Sequence, residues 1–227
     1  MNRMLKTAGA ALLLGLFFWV PASASDTQLW NALAINGPVS DDSKLLIWFD
    51  GHARSRDNVS DLGVSIIRPA LGWRVNSKLS LWAGYASVVA RRENAPNLRE
   101  NRIWQQATFP LGQVMGGSLS GRTRLEQRFA DRGSDTGWRI RQFVRFARPF
   151  DDTSYSFIAW NELFVGFNDT DWGARAGYDQ NRTFIGAGWQ VADKVRLEGG
   201  YLLNHINRDG SSNTTNHVIS FGIFAAL

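Results

Sequence analysis

The sequence predicts an all-β protein: a transmembrane antiparallel β-barrel of about ten to twelve strands behind a signal peptide. Three observations carry this. The first is the stretch Ser118–Phe146. Leu119, Thr123, Leu125, Gln127 and Phe129 alternate there with Ser120, Arg122, Arg124, Glu126 and Arg128. After a polar loop, Trp138, Ile140, Val144 and Phe146 alternate with Arg139, Arg141 and Arg145. Period-two alternation means two strands. A soluble sheet would turn the guanidinium face to water, whereas a membrane barrel turns it to a lumen. The second is the N-terminal segment. Arg3 and Lys6 precede an apolar run from Ala8 to Val20, and Ala22-Ser23-Ala24 fits the small-x-small rule, so residues 1–24 read as a cleaved signal peptide and 25–227 as one barrel domain. The apolar run is shorter than the ~20 residues of a spanning helix. The third is composition: 10 Trp, 14 Phe and 22 Gly with no cysteine. That much tryptophan is hard to place in a soluble core and suits lipid interfaces.

In chain order, Gln28–Ile35 alternates briefly and ends at Asn36-Gly37-Pro38. Leu45–Arg54 sets Leu45, Ile47 and Phe49 against Trp48, Asp50, His52 and Arg54. Asp61–Val75 changes apolar parity after Ile67, so a bulge is expected at Arg68-Pro69. Leu79–Val89 returns after a tight turn, and 91–100 reads as a charged loop. Asn101–Phe109 is the next strand and Pro110–Gly117 its turn, followed by the Ser118–Phe146 hairpin. Tyr155–Phe167, Tyr178–Val191, Val195–Leu203 and His217–Leu227 complete the pattern.

Connections alternate between mostly short ones, near residues 76, 110, 150 and 193, and longer polar ones, near residues 55, 91, 130, 168 and 206. Short periplasmic turns and longer outer loops are the barrel asymmetry, so the short set is expected in the periplasm. From Leu45 onward there are ten strands with both ends periplasmic, which meets the even-number rule. Gln28–Ile35 is then an odd strand that pairs at the seam, lies in the lumen or belongs to a count of twelve.

Charge narrows the function. Removing Arg3 and Lys6 takes the 25 basic residues to 23 against 20 acidic ones, and they are interleaved, not clustered on a helix, which argues against nucleic acid. Without cysteine there is no lipoprotein anchor and no disulfide framework.

Several landmarks stand together in order: Ile67-Arg68-Pro69 leading into Leu71-Gly72-Trp73; Gly84-Tyr85; Glu100 to Gln106; Arg122 to Arg128; Trp138-Arg139-Ile140-Arg141; Asn161-Glu162; Asp179 to Arg182; and Gly199-Gly200-Tyr201. As an ordered set they resemble the bacterial family called domain of unknown function 2490, over most of the mature chain. The resemblance implies a Gram-negative outer-membrane-type barrel, no established activity and no functional residues. The final Leu227 departs from the aromatic residue that usually ends outer-membrane assembly signals.

The candidate lumen-lining residues are Arg102, Gln106, Arg122, Arg124, Glu126, Arg128, Arg139, Arg141, Arg145, Glu162, Arg182, Arg196 and Glu198. A narrow barrel is filled by its side chains, so their first expected role is a paired polar core. Their arginine excess suggests a narrow pore for small solutes, preferring anions. The physiological role is unknown. Expected partners are outer-membrane lipids and the barrel-assembly machinery, and no cofactor or metal is expected. Two alternatives stay open. One is an outer-membrane enzyme acting on lipid or peptide at the outer rim, using His205 with Ser211 or Ser212, or His52 with Asp50. No Gly-x-Ser-x-Gly elbow supports it. The other is a soluble periplasmic lipid-binding barrel, with its apolar face inside. Trp73, Trp138, Trp160, Trp172 and Trp189 near strand ends favour the membrane reading; Trp82 and Trp104, on the lumenal face, do not.

Overall fold

The computed structural model describes residues 26–92, 94–208 and 212–227. The expected signal peptide, 1–24, lies outside the described residues. Eleven strands follow in order: β1 (Thr27–Pro38), β2 (Leu45–Arg56), β3 (Asp61–Asn76), β4 (Leu79–Ala90), β5 (Leu98–Val114), β6 (Gly117–Ala130), β7 (Thr136–Pro149), β8 (Tyr155–Gly166), β9 (Gly177–Ala192), β10 (Val195–Ile206) and β11 (Thr214–Ala226). Each pairs with its sequence neighbours, and β1 closes the ring on β11. Closure leaves no exposed sheet edge.

The ring corrects the expectation of an all-antiparallel barrel with an even count. β1 pairs with β2 antiparallel, but with β11 parallel, from Thr27↔His217 to Asn36↔Ala226. Up-and-down connections alternate strand direction, so the first and last of eleven must run the same way. The described ends also fall at opposite ends of the barrel, not together. Asp26 sits at the rim that carries the longer loops, where its carboxylate accepts hydrogen bonds from the backbone N–H groups of Asp57 and Asn58. Leu227 lies at the other rim, its N–H donating to the Asn36 carbonyl.

Two expected breaks move. The ladder between β3 and β4 keeps one register across Arg68 and Pro69, from Ile67↔Ser87 to Ala70↔Gly84. Pro69 faces outward, and the missing N–H causes no bulge. The bulge lies instead at Gly63, where Arg54↔Val64 is followed by Ser55↔Leu62. β5 also runs past Pro110 to Val114, with a register shift between Pro110 and Gly112, so the turn is only Met115-Gly116. Likewise Glu100, read as loop, pairs within β5 with Val88 and Ala130.

Side chains sort by pleat. Outward positions are mostly apolar: Leu71 is 60% exposed, Ile103 50%, Ile185 53% and Phe221 53%. Inward positions hold the charges and two apolar clusters. One joins Trp30, Ile158, Phe184, Leu202 and Val218, with Trp160 stacked on Phe184 at 5.2 Å. The other joins Leu46, Trp82, Ala86 and Trp104, with Trp48 edge-on to Trp82. Glycines make room for the second: a Cβ on Gly72 would lie 2.4 Å from Trp82, and one on Gly84 2.4 Å from Trp104.

The tryptophans therefore split. Trp73, Trp138 and Trp189 face outward, as expected of interfacial residues. Trp160 points inward, because it shares the parity of Ile158 and Glu162. Trp172 sits in the loop between β8 and β9, where its indole N–H donates to the Asp135 carbonyl.

Candidate functional site

The alternation of β5 to β10 carries all thirteen candidate residues to the interior. Their guanidinium and carboxylate groups then meet across strands. Toward the longer loops, Glu100 accepts two arginine forks. Arg102 and Arg128 each donate through Nε and Nη2, at 2.7 and 3.1 Å and at 2.6 and 3.1 Å. Bidentate pairing of this kind is the geometry for which the planar guanidinium is suited. The indole of Trp172 lies over Arg128 at 5.0 Å.

At mid-barrel, Arg141 bridges two carboxylates. It donates to Glu126 at 2.7 Å and to Glu162 at 2.7 and 3.0 Å. Glu126 also receives Arg139, which reaches Asp179 with its other nitrogen at 2.7 Å. Glu162 also receives Arg122 at 2.5 Å, with Arg182 at 3.9 Å. Three arginines, Arg139, Arg141 and Arg182, stand over the Phe164 ring. Arg124 is fully buried against Trp104, 4.0 Å from the ring centroid, and donates through Nε to Gln106. At the short-turn end, Arg145 and Arg196 converge on Glu198 beside a cavity of about 260 Å³.

Sequence reasoning left out part of this network. Asp50 accepts from Arg68 at 2.7 Å and from the Trp48 indole at 2.8 Å. Arg68 also lies 2.7 Å from His52 Nε2. A guanidinium only donates, so that nitrogen is the acceptor. Arg54 stacks on Trp30 at 4.0 Å and, among the described residues, has no carboxylate partner. The signal for Asp50, His52 and Arg54 was their shared parity in β2. Arg68 was hidden by the bulge expected there, and Glu100 by the loop reading.

The balance of charge is uneven. Arg68, Arg102, Arg122, Arg124, Arg128, Arg139, Arg141 and Arg182 share five carboxylates, Asp50, Glu100, Glu126, Glu162 and Asp179, and Arg54 adds a ninth charge with none. Arg54 Nε, Arg122 Nε and both terminal nitrogens of Arg124 are buried without a hydrogen-bond partner. Buried N–H groups are almost always matched, so these four stand out.

Of the two histidines offered for catalysis, His52 does lie beside Asp50 inside the barrel, its Nε2 3.1 Å from the carboxylate, while His205 stands apart on the outer wall. His205 pairs with the Tyr178 hydroxyl at 2.7 Å, and His217 with that of Tyr201, both on the outer wall. Ser211 lies outside the described residues. No cluster of three or more metal-ligating His, Cys, Asp or Glu side chains occurs among the described residues.

Fold and interior together define a closed, small β-barrel with a packed ionic core. The chain is a member of the family described as protein of unknown function DUF2490, whose model matches residues 27–216. It is also similar to an uncharacterised protein of Methylorubrum extorquens, 38% identical over 202 residues, covering 88% of this chain and 87% of the relative.

Proposed function

We propose that this chain is an integral outer-membrane β-barrel of a Gram-negative bacterium, exported by its cleaved N-terminal segment and inserted by the barrel-assembly machinery. The observation that carries the reading is the inverted pleat. The outer wall exposes Leu71, Ile103, Ile185 and Phe221, while the charges are inside. Lipid solvates such a wall, and water does not. Strands of 12 to 17 residues exceed the ~9–11 that cross a bilayer. Aromatic residues stand outward near both rims, with Trp73, Tyr155 and Trp189 at one and Phe129, Trp138 and Phe167 at the other. The polar residues on the outer wall of β5 to β9 point the same way. Gln105 and Gln127 exchange two hydrogen bonds, Thr123 bonds Gln142, and Asn161 bonds Asn181. In hydrocarbon, polar groups must satisfy one another.

The interior supports a structural role more than an open one. Trp104 and Arg124 are fully buried at mid-barrel, and the ion pairs span it. The role is read as non-enzymatic, since His52 Nε2 is engaged by Arg68, and His205 and His217 by tyrosines. The arginine surplus favours one second reading, a narrow conductance selective for anions. Carbonate and urea washing of membranes tests the main proposal. The protein should stay in the membrane pellet, and release into the soluble fraction would sink it. Purified protein in a planar bilayer separates the two interiors: silence supports the packed core, and anion-selective steps weakened by Arg124→Glu support the conductance.

A further inference from the structure

We propose that the barrel interior binds one small oxyanion, of the size and geometry of phosphate or sulfate, between Arg122 and Arg124. Arg122 and Arg124 are two residues apart on β6, so both project inward side by side. Between them they present three buried N–H-bearing nitrogens without partners: Nε of Arg122 and both terminal nitrogens of Arg124. Arg182 projects inward from β9 and lies 3.9 Å from Glu162, the carboxylate that Arg122 also contacts. Positive groups from β6 and β9 therefore share one carboxylate beside these nitrogens.

The carboxylates do not balance this region. Asp50 is taken up by Arg68 and Trp48, and Glu162 by Arg141 and Arg122. The nearest carboxylate to Arg124 is Glu126, at 4.0 Å and without a hydrogen bond. The faces of two of these guanidiniums are covered by aromatic rings, Arg124 by Trp104 at 4.0 Å and Arg122 by Phe143 at 4.3 Å. Beyond the bonds to Glu162 and Gln106, the in-plane groups left to be met by something else are Nε of Arg122 and the terminal nitrogens of Arg124. Water could satisfy the N–H groups but not the charge, and unpaired buried charge is strongly unfavourable. An oxyanion does both, since each oxygen accepts from a guanidinium edge and the ion neutralises the surplus. The inference deepens the reading of the interior as a packed ionic core. It does not depend on where the barrel resides.

The test uses the full mature chain, purified in detergent. Equilibrium dialysis against radiolabelled inorganic phosphate, and separately sulfate, should show saturable binding near one ion per chain. A site already filled on purification should release about one equivalent of the ion when the protein is denatured after exhaustive dialysis. Arg124→Gln should weaken binding or retention at least tenfold, while Arg145→Gln, at the short-turn end, should leave it unchanged. Where Arg124→Gln does not fold, by loss of its β-sheet circular dichroism, Arg124→Lys takes its place and should still weaken binding several-fold, since the fork is lost and the charge kept. Neither saturable uptake nor released anion overturns the proposal, as does undiminished binding in the folded Arg124 variant. Phosphorus that partitions into chloroform on denaturation would mark a phospholipid and overturn the assignment to a small ion. Release of the chain by carbonate washing would remove the membrane reading and leave this site standing.

Discussion

Arg141 is shared by Glu126 and Glu162, and each of those carboxylates also holds a second arginine. Parity alone placed these groups inside, because every second residue of a strand faces one side. Parity could not say which would meet, since partners such as Arg145 and Glu198 are 53 residues apart in the chain. It also failed where a residue's strand was misjudged. Glu100 was assigned to a loop, so the carboxylate that two arginines share was missed. At the rim, Asp171 ties two long loops together. It accepts from the backbone N–H of Ser134 at 2.8 Å and of Asp135 at 3.2 Å. The Ser134 N–H holds the Asp171 carboxyl below the usual aspartate range. A lowered pKa means the contact is complete above the ordinary value of 3.8 and is lost as pH falls through the folded value. Hydrogen exchange should therefore show Ser134 and Asp135 amides several-fold faster in Asp171→Asn at neutral pH. As pH falls through the folded value the two proteins should converge in protection. Equal protection at neutral pH would show that the carboxylate does not hold these loops.

Strands β3 and β4 show what alternation does and does not reveal. Their outward apolar residues were plain in the sequence, and so was the turn between them. Alternation also puts Trp82 and Trp104 on the inner face; what it does not reveal is the glycine opposite each that gives the indole room. Gly84 faces the Trp104 ring across the β4–β5 pair, and Gly72 faces Trp82 across β3–β4. Each indole lies where a side chain would otherwise be. Gly84→Ala would bring a methyl within 2.4 Å of Trp104 and 2.6 Å of the Ala70 methyl. Overpacking of this kind costs about 1–3 kcal/mol. Denaturant unfolding in detergent should show that loss for Gly84→Ala. The same substitution at Gly51, whose nearest neighbour is 3.9 Å away, should cost less. Similar losses at both sites would mean that Trp104 does not set the packing there. Pro110 illustrates the opposite failure. Proline usually ends a strand, yet β5 continues past it because a register shift takes up the missing donor.

At the scale of the molecule, the count of strands was nearly legible and the closure was not. Ten strands from Leu45 onward satisfied both alternation and an even number, and nothing in the pattern of β1 names its partner. Closure on β11 puts Asp26 and Leu227 at opposite rims. If the longer loops face outward from the cell, an epitope fused before Asp26 should be cleaved by protease added to intact cells. One fused after Leu227 should be cleaved only after the outer membrane is opened. Both epitopes protected together, or cleaved together, would contradict the arrangement. The parallel seam has a further consequence, best put as parity. Neighbours in a ring of odd size cannot all alternate, just as an odd ring of opposed magnets must leave one pair aligned. This chain puts its one aligned pair where its two ends meet. Gaining or losing a whole hairpin preserves that mismatch. Losing β1 alone would abolish it and leave a ten-membered ring with both termini on the same side. The first strand thus decides on which side the chain begins.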